Sequence, residues 1–135
     1  MPRLYRGIPL NSIWEGSGNV IALDVLRALV KSPEALDAFF GEIDQAAGSE
    51  SRLDGFVTDL RQDLSDFDQI EPRARSVVEQ MALALQGSLL VRHGDPAVAD
   101  AFCASRLAGE GGRAFGTLPA GVDYADIIER HRVKL

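Results

Sequence analysis

A short stretch near the start of the chain places a carboxylate beside an indole. Glu15 follows Trp14 and precedes the turn Gly16-Ser17-Gly18, which leads into the most apolar segment of the sequence. An aromatic neighbour that shields a carboxylate from water raises its pKa, and such a group can act as a general base near neutral pH. The turn offers free backbone N–H groups at the start of a helix, which favour an anion such as a phosphate. These residues are the first candidates for a site.

A structural interpretation of the same residues stays open. Ser17 or Asn19 would simply cap the helix that follows, and Glu15 would lie exposed to solvent. Local chemistry alone does not decide between a catalytic carboxylate and a helix cap.

The residues around Glu15 resemble the C-terminal part of flavin-dependent acyl-CoA dehydrogenases. The resemblance is carried by residues 5–6 (Tyr-Arg), 11–19 (Asn-Ser-Ile-Trp-Glu-Gly-Ser-Gly-Asn) and 23–27 (Leu-Asp-Val-Leu-Arg). An aromatic residue followed by Glu, Gly and Thr or Ser is characteristic of that family. Trp in place of Tyr, and the Ser-Gly-Asn continuation, are similar to the alkylation-response branch, a group of isovaleryl-CoA dehydrogenase homologues. The resemblance is close over residues 3–31 and looser over the helices beyond.

The resemblance implies a role for each residue of this motif. Glu15 matches the catalytic base that takes the α-proton of an acyl-CoA thioester while a hydride leaves the β-carbon for FAD. Gly16 matches a substrate-binding position close to the acyl group. The positions that match the FAD-binding stretch are Ile13, Trp14, Ser17, Gly18 and Asn19.

The resemblance also implies partners for the chain. Family members place a helical domain and a flavin-holding β-domain before this region, and neither is present in this sequence. We therefore expect the C-terminal helical domain of a homo-oligomeric flavoprotein that dehydrogenates acyl-CoA, with no FAD retained and no activity by these residues alone. The alternatives are a free-standing helical interaction or oligomerisation module and a DNA-binding domain of an alkylation-response protein.

Four arginines are candidates for a DNA-binding patch, because the alkylation-response branch is associated with duplex DNA through its C-terminal helices. They are Arg27, Arg73, Arg75 and Arg92. The overall charge opposes this role. The whole chain carries a formal charge of −6, and the residues after Lys31 hold 10 basic against 18 acidic side chains, a balance of −8. Phosphate neutralisation drives DNA binding, so such a surface disfavours it.

The spacing of apolar residues indicates the elements that must position these side chains. It predicts an all-α fold, an antiparallel, up-and-down bundle of five to six helices, because short links make consecutive helices neighbours. Residues 1–18 are expected to form an irregular N-terminal arm, since prolines and glycines interrupt a continuous helix there, and residues 19–135 to form the helical domain. The predicted helices cover about 20–30, 33–47, 53–64, 72–93, 96–107 and 123–130, with a glycine-rich loop over 109–121.

Composition limits the remaining functions. The 135 residues are 46% apolar and 25% charged, which is typical of one compact domain. A single cysteine, Cys103, excludes an internal disulfide and a multi-cysteine metal site. No run approaches the roughly 20 apolar residues of a bilayer span, and no secretory signal begins the chain, so a cytoplasmic location is expected.

Two further clusters could be taken for binding sites, but both are better explained as ordinary surface structure. No set of metal ligands is predicted. The glycines of residues 109–112 lack the strand and the Gly-Lys-Ser/Thr sequence of a phosphate-binding loop, so a flexible loop is preferred. An acidic group lacks the ligand order of a calcium loop and is interpreted as a solvated helix face. That group consists of Asp59, Asp63, Asp66, Asp68 and Glu71.

Overall fold

A computed structural model of the chain describes residues 2–12, 18–67, 70–112, 114 and 116–132. Every regular element in these residues is helical, so the predicted all-α class is confirmed. Short 3₁₀ turns cover Ile8–Ser12, Asp44–Ala46 and Glu71–Arg73, and a π-helical turn covers Cys103–Leu107. The α-helices are α1 (Pro2–Gly7), α2 (Gly18–Lys31), α3 (Glu34–Ile43), α4 (Ser51–Ser65), α5 (Ala74–His93), α6 (Pro96–Phe102) and α7 (Tyr124–His131).

Helix α5 is the centre of the bundle. It packs against α2, α3, α4 and α6, and its buried face is built from small as well as large side chains. At Gly87 an added Cβ would lie 3.0 Å from Leu107 Cδ1 and 3.2 Å from Leu53 Cδ1, so the absence of a side chain lets α4 and the π-helical turn approach. The fully buried hydroxyl of Ser88 donates a hydrogen bond to the Ile43 carbonyl at 3.2 Å, which satisfies its polar group.

Helix α4 presents the predicted apolar stripe to this core. Leu53, Val57, Leu60 and Leu64 are buried at helical spacing, and all four belong to one contiguous hydrophobic cluster with residues of α2, α3 and α5. Burial of such side chains from water is the main stabilising contribution to a bundle of this kind.

The ends of the helices follow from local chemistry at several positions. The Asp95 carboxylate accepts hydrogen bonds from the N–H groups of Ala97 and Val98, which confirms the predicted start of α6. Helix α5 ends at His93 as predicted, and the backbone of Gly94 caps it. Asp123 caps α7 by accepting a hydrogen bond from the Asp126 N–H.

The N-terminal arm differs from its prediction in one respect. No continuous helix forms over residues 2–12, as expected, but the segment contains α1 up to Gly7 and a 3₁₀ turn after it, so it is not irregular. Gly7 and Pro9 interrupt the helix between two stretches that can each form a turn on their own. With α1 counted, the described residues hold seven α-helices rather than the predicted five to six.

Helix α2 is less enclosed than its apolar sequence indicates. Ala22, Leu26 and Leu29 are buried against the core, whereas Val20, Ile21 and Val30 are between 44% and 66% exposed. The reason is geometric: α2 contacts α3 and α5 on one side, and no described helix covers the other. The apolar sequence of α2 favours a helix that protein largely surrounds, with part of it exposed where partners are missing, and the described residues show such an exposed part.

None of the helices among the described residues has the length and apolar character that a bilayer crossing requires. The glycine-rich segment is non-helical where it is described, as predicted, and positive φ angles at Gly109, Gly111 and Gly116 explain the glycines at those turns.

Candidate functional site

The predicted motif lies only partly within the described residues. The proposed base Glu15, together with Ile13, Trp14, Gly16 and Ser17, lies outside them. Gly18 and Asn19 are described, and they form the first turn of α2. The structure therefore shows the end of the motif and what surrounds it.

An open cavity of about 320 Å³ lies beside this end of the motif. It forms where the start of α2 approaches the beginning of α5 and the 3₁₀ turn before it. The side chain of Arg75 lies close to Gly18, since a Cβ built on Gly18 would lie 3.4 Å from Arg75 Nη2. The cavity is lined by Asn19, Leu23, Glu71, Pro72, Ala74 and Arg75.

The cavity combines groups of opposite charge. The guanidinium of Arg75 can donate several hydrogen bonds and is permanently positive, and the Asn19 amide can donate or accept. Glu71 adds one carboxylate to the same lining. Such a site can bind a phosphate or carboxylate through Arg75, with Glu71 opposing a second negative group.

The four candidate DNA-binding arginines are not equivalent in the structure. Arg27 forms an ion pair with Asp24 at 2.5 Å on α2. Arg73 contacts Asp63 at 3.3 Å and Asp66 at 3.7 Å. These carboxylates neutralise the charges of Arg27 and Arg73, two of the four arginines that were candidates for DNA binding.

Arg92 is the most firmly held of the four. Its Nη1 donates to a Glu42 carboxylate oxygen at 2.6 Å, and its Nη2 donates to the Gln45 amide oxygen at 2.8 Å. The hydrogen bond from Arg92 lowers the pKa of Glu42 below its usual value. Arg92 therefore joins α5 to the end of α3, and its charge is neutralised by a carboxylate.

The acidic group has structural partners rather than the arrangement of a cation site. Asp63 and Asp66 contact Arg73, and Asp63 also accepts a hydrogen bond from Gln80 Nε2 at 3.0 Å. Asp59 and Glu71 lie on the exposed surface, as expected for a solvated face, and Asp68 is outside the described residues. Within the described part of the chain, no three His, Cys, Asp or Glu side chains are placed to hold a metal ion.

A network of ion pairs lies at the N-terminal end of α4, near Cys103. Arg52 donates to Glu50 at 2.8 Å and to Asp100 at 2.7 Å, which ties α4 to α6. The hydrogen bonds that Arg52 donates to Glu50 lower the pKa of Glu50. The same bonds, and the one that Arg52 donates to Asp100, raise the pKa of Arg52. Burial raises the pKa of Cys103, whose thiol is inaccessible. These shifts come from packing and ion pairing, and the network holds the bundle together.

The glycine-rich segment lines another open cavity, of about 410 Å³, with Glu79, Ser105 and Arg106. The N–H of Gly112 donates to the Thr117 carbonyl at 3.0 Å, so it is not available to a phosphate. No strand precedes this loop in the described residues, which agrees with its interpretation as a plain loop.

Comparison with known proteins agrees with the motif. No family model matches the chain. It is 37% identical over 112 residues, 83% of its length, to a curated relative. The chain is therefore an all-α protein similar to part of an acyl-CoA dehydrogenase, which confirms the resemblance inferred from its sequence. That relative is the "Putative acyl-CoA dehydrogenase AidB" of Escherichia coli (strain K12), and the chain spans 20% of its length.

The sequence did not indicate that Arg75 is a neighbour of the motif. Arg75 was a candidate only for DNA binding, since nothing in its local sequence connects it with Gly18. The contact arises because α2 packs against α5, so the only signal that could have revealed it is the prediction that these two helices are adjacent.

Proposed function

We propose that this chain acts as the C-terminal helical domain of an acyl-CoA dehydrogenase-like flavoprotein. The observation that carries the proposal is the 37% identity to an acyl-CoA dehydrogenase homologue over most of the chain, together with the Trp-Glu-Gly-Ser-Gly motif. The all-α fold and the cavity at the end of that motif agree with it.

The residues at the described end of the motif fit a phosphate-bearing cofactor such as FAD. Asn19 and Arg75 line the cavity, and the Arg75 guanidinium lies beside Gly18. A cavity of about 320 Å³ can take only part of a flavin dinucleotide, so further contacts must come from other residues. This limit supports the expectation that the chain alone does not retain FAD.

In the proposed reaction FAD supplies the hydride acceptor. Glu15 would supply the carboxylate that removes the α-proton of the acyl thioester. Gly16 would be the substrate-binding position, as the resemblance implies. Gly18 and Asn19 hold the cofactor at the start of α2.

The test uses the natural gene product that contains this chain. We expect purified protein with bound flavin and with acyl-CoA-dependent reduction of an artificial electron acceptor. Glu15→Gln should lower the rate by about 10²- to 10⁴-fold with FAD content unchanged, since it removes the base and little volume. Glu34→Gln, on the exposed start of α3, is the matched control and should leave the rate unchanged. A protein without flavin, or a fully active Glu15→Gln variant, would disprove the proposal.

A second candidate is a helical oligomerisation module, and one observation favours it. Large apolar side chains of the N-terminal arm and of α2 are exposed, among them Leu4, Tyr5 and Ile8. Monomeric proteins rarely leave such a group of side chains uncovered. The two candidates are separated by the flavin and activity measurements above, which only the first predicts to be positive.

DNA binding is the least favoured of the candidate functions. Three of its four arginines, Arg27, Arg73 and Arg92, form ion pairs with carboxylates of the same chain. Neutralisation of phosphates by these residues would require those pairs to be broken. A gel-shift titration with a short duplex at two salt concentrations is expected to show no salt-dependent complex.

A further inference from the structure

Arg75 differs from the other candidate arginines because it has no polar partner among the residues that the structure describes. Its side chain is exposed at the beginning of α5, and it forms no hydrogen bond or ion pair with any residue of the described chain. The guanidinium is nevertheless not directed freely into solvent. Its Nη2, Cζ and Nε atoms lie 3.4, 3.6 and 3.8 Å from the position of a Cβ on Gly18.

This guanidinium therefore lies close to the start of α2. Three of its atoms lie within 4 Å of the Cβ position of Gly18, so a side chain at that position would contact the guanidinium. Asn19 follows in the same turn, and Asn19 and Arg75 both line the cavity. A planar guanidinium with free N–H groups is suited to a phosphate, which accepts two of its hydrogen bonds at once.

Glu71 sets the limits of what the cavity can bind. Its carboxylate belongs to the same lining and repels an anion, so the affinity for a phosphate group alone is expected to be modest. A ligand that has further contacts outside the cavity overcomes this repulsion, as a dinucleotide cofactor would. The charge arrangement thus favours a phosphate that is part of a larger bound molecule.

We propose that Arg75 binds a phosphate group of the cofactor that Gly18 and Asn19 contact, and that it is a cofactor-binding residue rather than a nucleic-acid contact. The inference rests on the proposed function, and it adds a residue of α5 to a site that the sequence placed entirely in the first 19 residues.

The test is a nuclear magnetic resonance titration of the chain with inorganic pyrophosphate, and then with ADP. We expect the amide signals of Gly18 and Asn19 to shift in both titrations, with a lower dissociation constant for ADP. Arg75→Ala should weaken binding by about tenfold, because a charge-assisted, two-point contact is lost. Arg75→Lys should restore part of the loss, since it keeps the charge but not the planar pair of donors.

Two further variants serve as controls. Arg106→Ala removes another exposed arginine without a polar partner among the described residues, and it should bind pyrophosphate as the unchanged chain does. Glu71→Gln should bind severalfold more tightly, because it removes the opposing carboxylate. Unchanged far-ultraviolet circular dichroism shows that each variant is folded.

Three outcomes of the phosphate titrations would overturn the inference, as would a fourth outcome with DNA. The three are the absence of any shift at Gly18 and Asn19 at millimolar pyrophosphate, an Arg75→Ala variant that binds normally, and an equal loss in Arg106→Ala. A parallel titration with a short DNA duplex distinguishes the sources of phosphate, and a duplex that shifts these signals at lower concentration than ADP would assign Arg75 to nucleic acid. If the Glu15→Gln test succeeds while these titrations fail, only the role of Arg75 is lost and the proposed function stands.

Discussion

A charged side chain becomes available to a ligand only when its own chain does not neutralise it. Arg92 and Arg75 are both arginines of α5, yet Arg92 is held by Glu42 and Gln45 whereas Arg75 is not held by any described residue. The count of basic residues is therefore a poor guide to anion binding in this molecule. The partners of each guanidinium decide which of them can act.

The lone thiol gives a prediction at the same scale. Cys103 is fully buried and its pKa is raised by desolvation, so little thiolate forms and reagents cannot reach it. We expect an aromatic disulfide reagent to label the native protein at least about 10²-fold more slowly than the urea-unfolded chain, because labelling requires local opening. No other cysteine is present to confuse the measurement. Labelling at similar rates in both states would show that the α6 region opens freely.

Roles for the residues of the motif could be proposed from the sequence, but the residues that surround them in the structure could not. The roles proposed for Glu15, Gly18 and Asn19 follow from a local run of residues. The contact between Gly18 and Arg75 depends on how two helices pack, and no local pattern contains that information. Likewise, the pairing of Arg73 with Asp63 and Asp66 joins separate elements, so the sequence could offer Arg73 as a candidate without excluding it.

At the level of elements, the N-terminal cap of α4 depends on whether the Glu50 carboxylate is ionised. That carboxylate accepts a hydrogen bond from the Arg52 N–H at 3.0 Å and also pairs with the Arg52 side chain. Because folding lowers the pKa of Glu50, its contribution to stability is present above the ordinary value of 4.5 and is lost as the pH falls below it. We expect Glu50→Gln to be less stable than the unchanged chain at pH 7, by about 1 kcal/mol.

Urea unfolding at several pH values measures this effect. The difference in unfolding free energy between the unchanged chain and Glu50→Gln should shrink as the pH is lowered from 7 to below 4.5. Glu34→Gln serves as the control, since it also lies at a helix start but makes no side-chain bond to the α3 backbone. A difference that stays constant with pH would mean that the charge of Glu50 is not involved.

Glycines inside helices give a second prediction for the elements. A Cβ on Gly41 in α3 would meet nothing within 4 Å, whereas on Gly87 in α5 it would lie 3.0 Å from Leu107 Cδ1 and 3.2 Å from Leu53 Cδ1. Gly41→Ala should stabilise the chain by about 0.5 to 1 kcal/mol, because it lowers the entropy of the unfolded state. Gly87→Ala should destabilise it by about 1 kcal/mol, because it overpacks the core.

The comparison of the two alanine variants is internally controlled, since both replace a helical glycine by the same residue. Chemical denaturation followed by circular dichroism gives both values in one experiment. If Gly87→Ala gained as much stability as Gly41→Ala, the leucine side chains would have moved aside and α5 would not be tightly packed at this point.

Helix positions were largely predictable because each helix carries its own periodic stripe and its own end signals. Asp95 before Pro96, and Gly94 after His93, are short-range signals, and both boundaries are found where they were expected. For α2, an exposed apolar part could be expected from the sequence, but not which residues form it. The apolar residues of α2 indicate burial, but which of them are buried depends on the partners available to the helix, and the described chain supplies partners for one side only.

At the scale of the whole molecule, two features of the surface point to association. The charge is −6 overall, yet the N-terminal arm carries Arg3 and Arg6 and, in its described part, no acidic residue. Its apolar side chains are uncovered, and α1 packs against the 3₁₀ turn that follows it. An apolar segment with few contacts to the rest of the bundle is expected to bind the surface of another protein molecule.

This surface predicts that the isolated chain self-associates through the arm. Leu4, Tyr5, Ile8 and Leu10 are 64%, 80%, 64% and 51% exposed, and burial of their apolar area between copies would stabilise a dimer or larger oligomer. Sedimentation velocity over a range of concentrations should show association that persists at high salt, because apolar contacts are not screened. Replacing Leu4 and Ile8 by Ser should shift the distribution towards monomer, whereas Leu118→Ser, an exposed apolar residue outside the arm, should leave it unchanged. A monomer at all concentrations would contradict the prediction and mean that the arm remains uncovered in the isolated chain. Association that disappears at high salt would show that charge, and not apolar contact, causes the association.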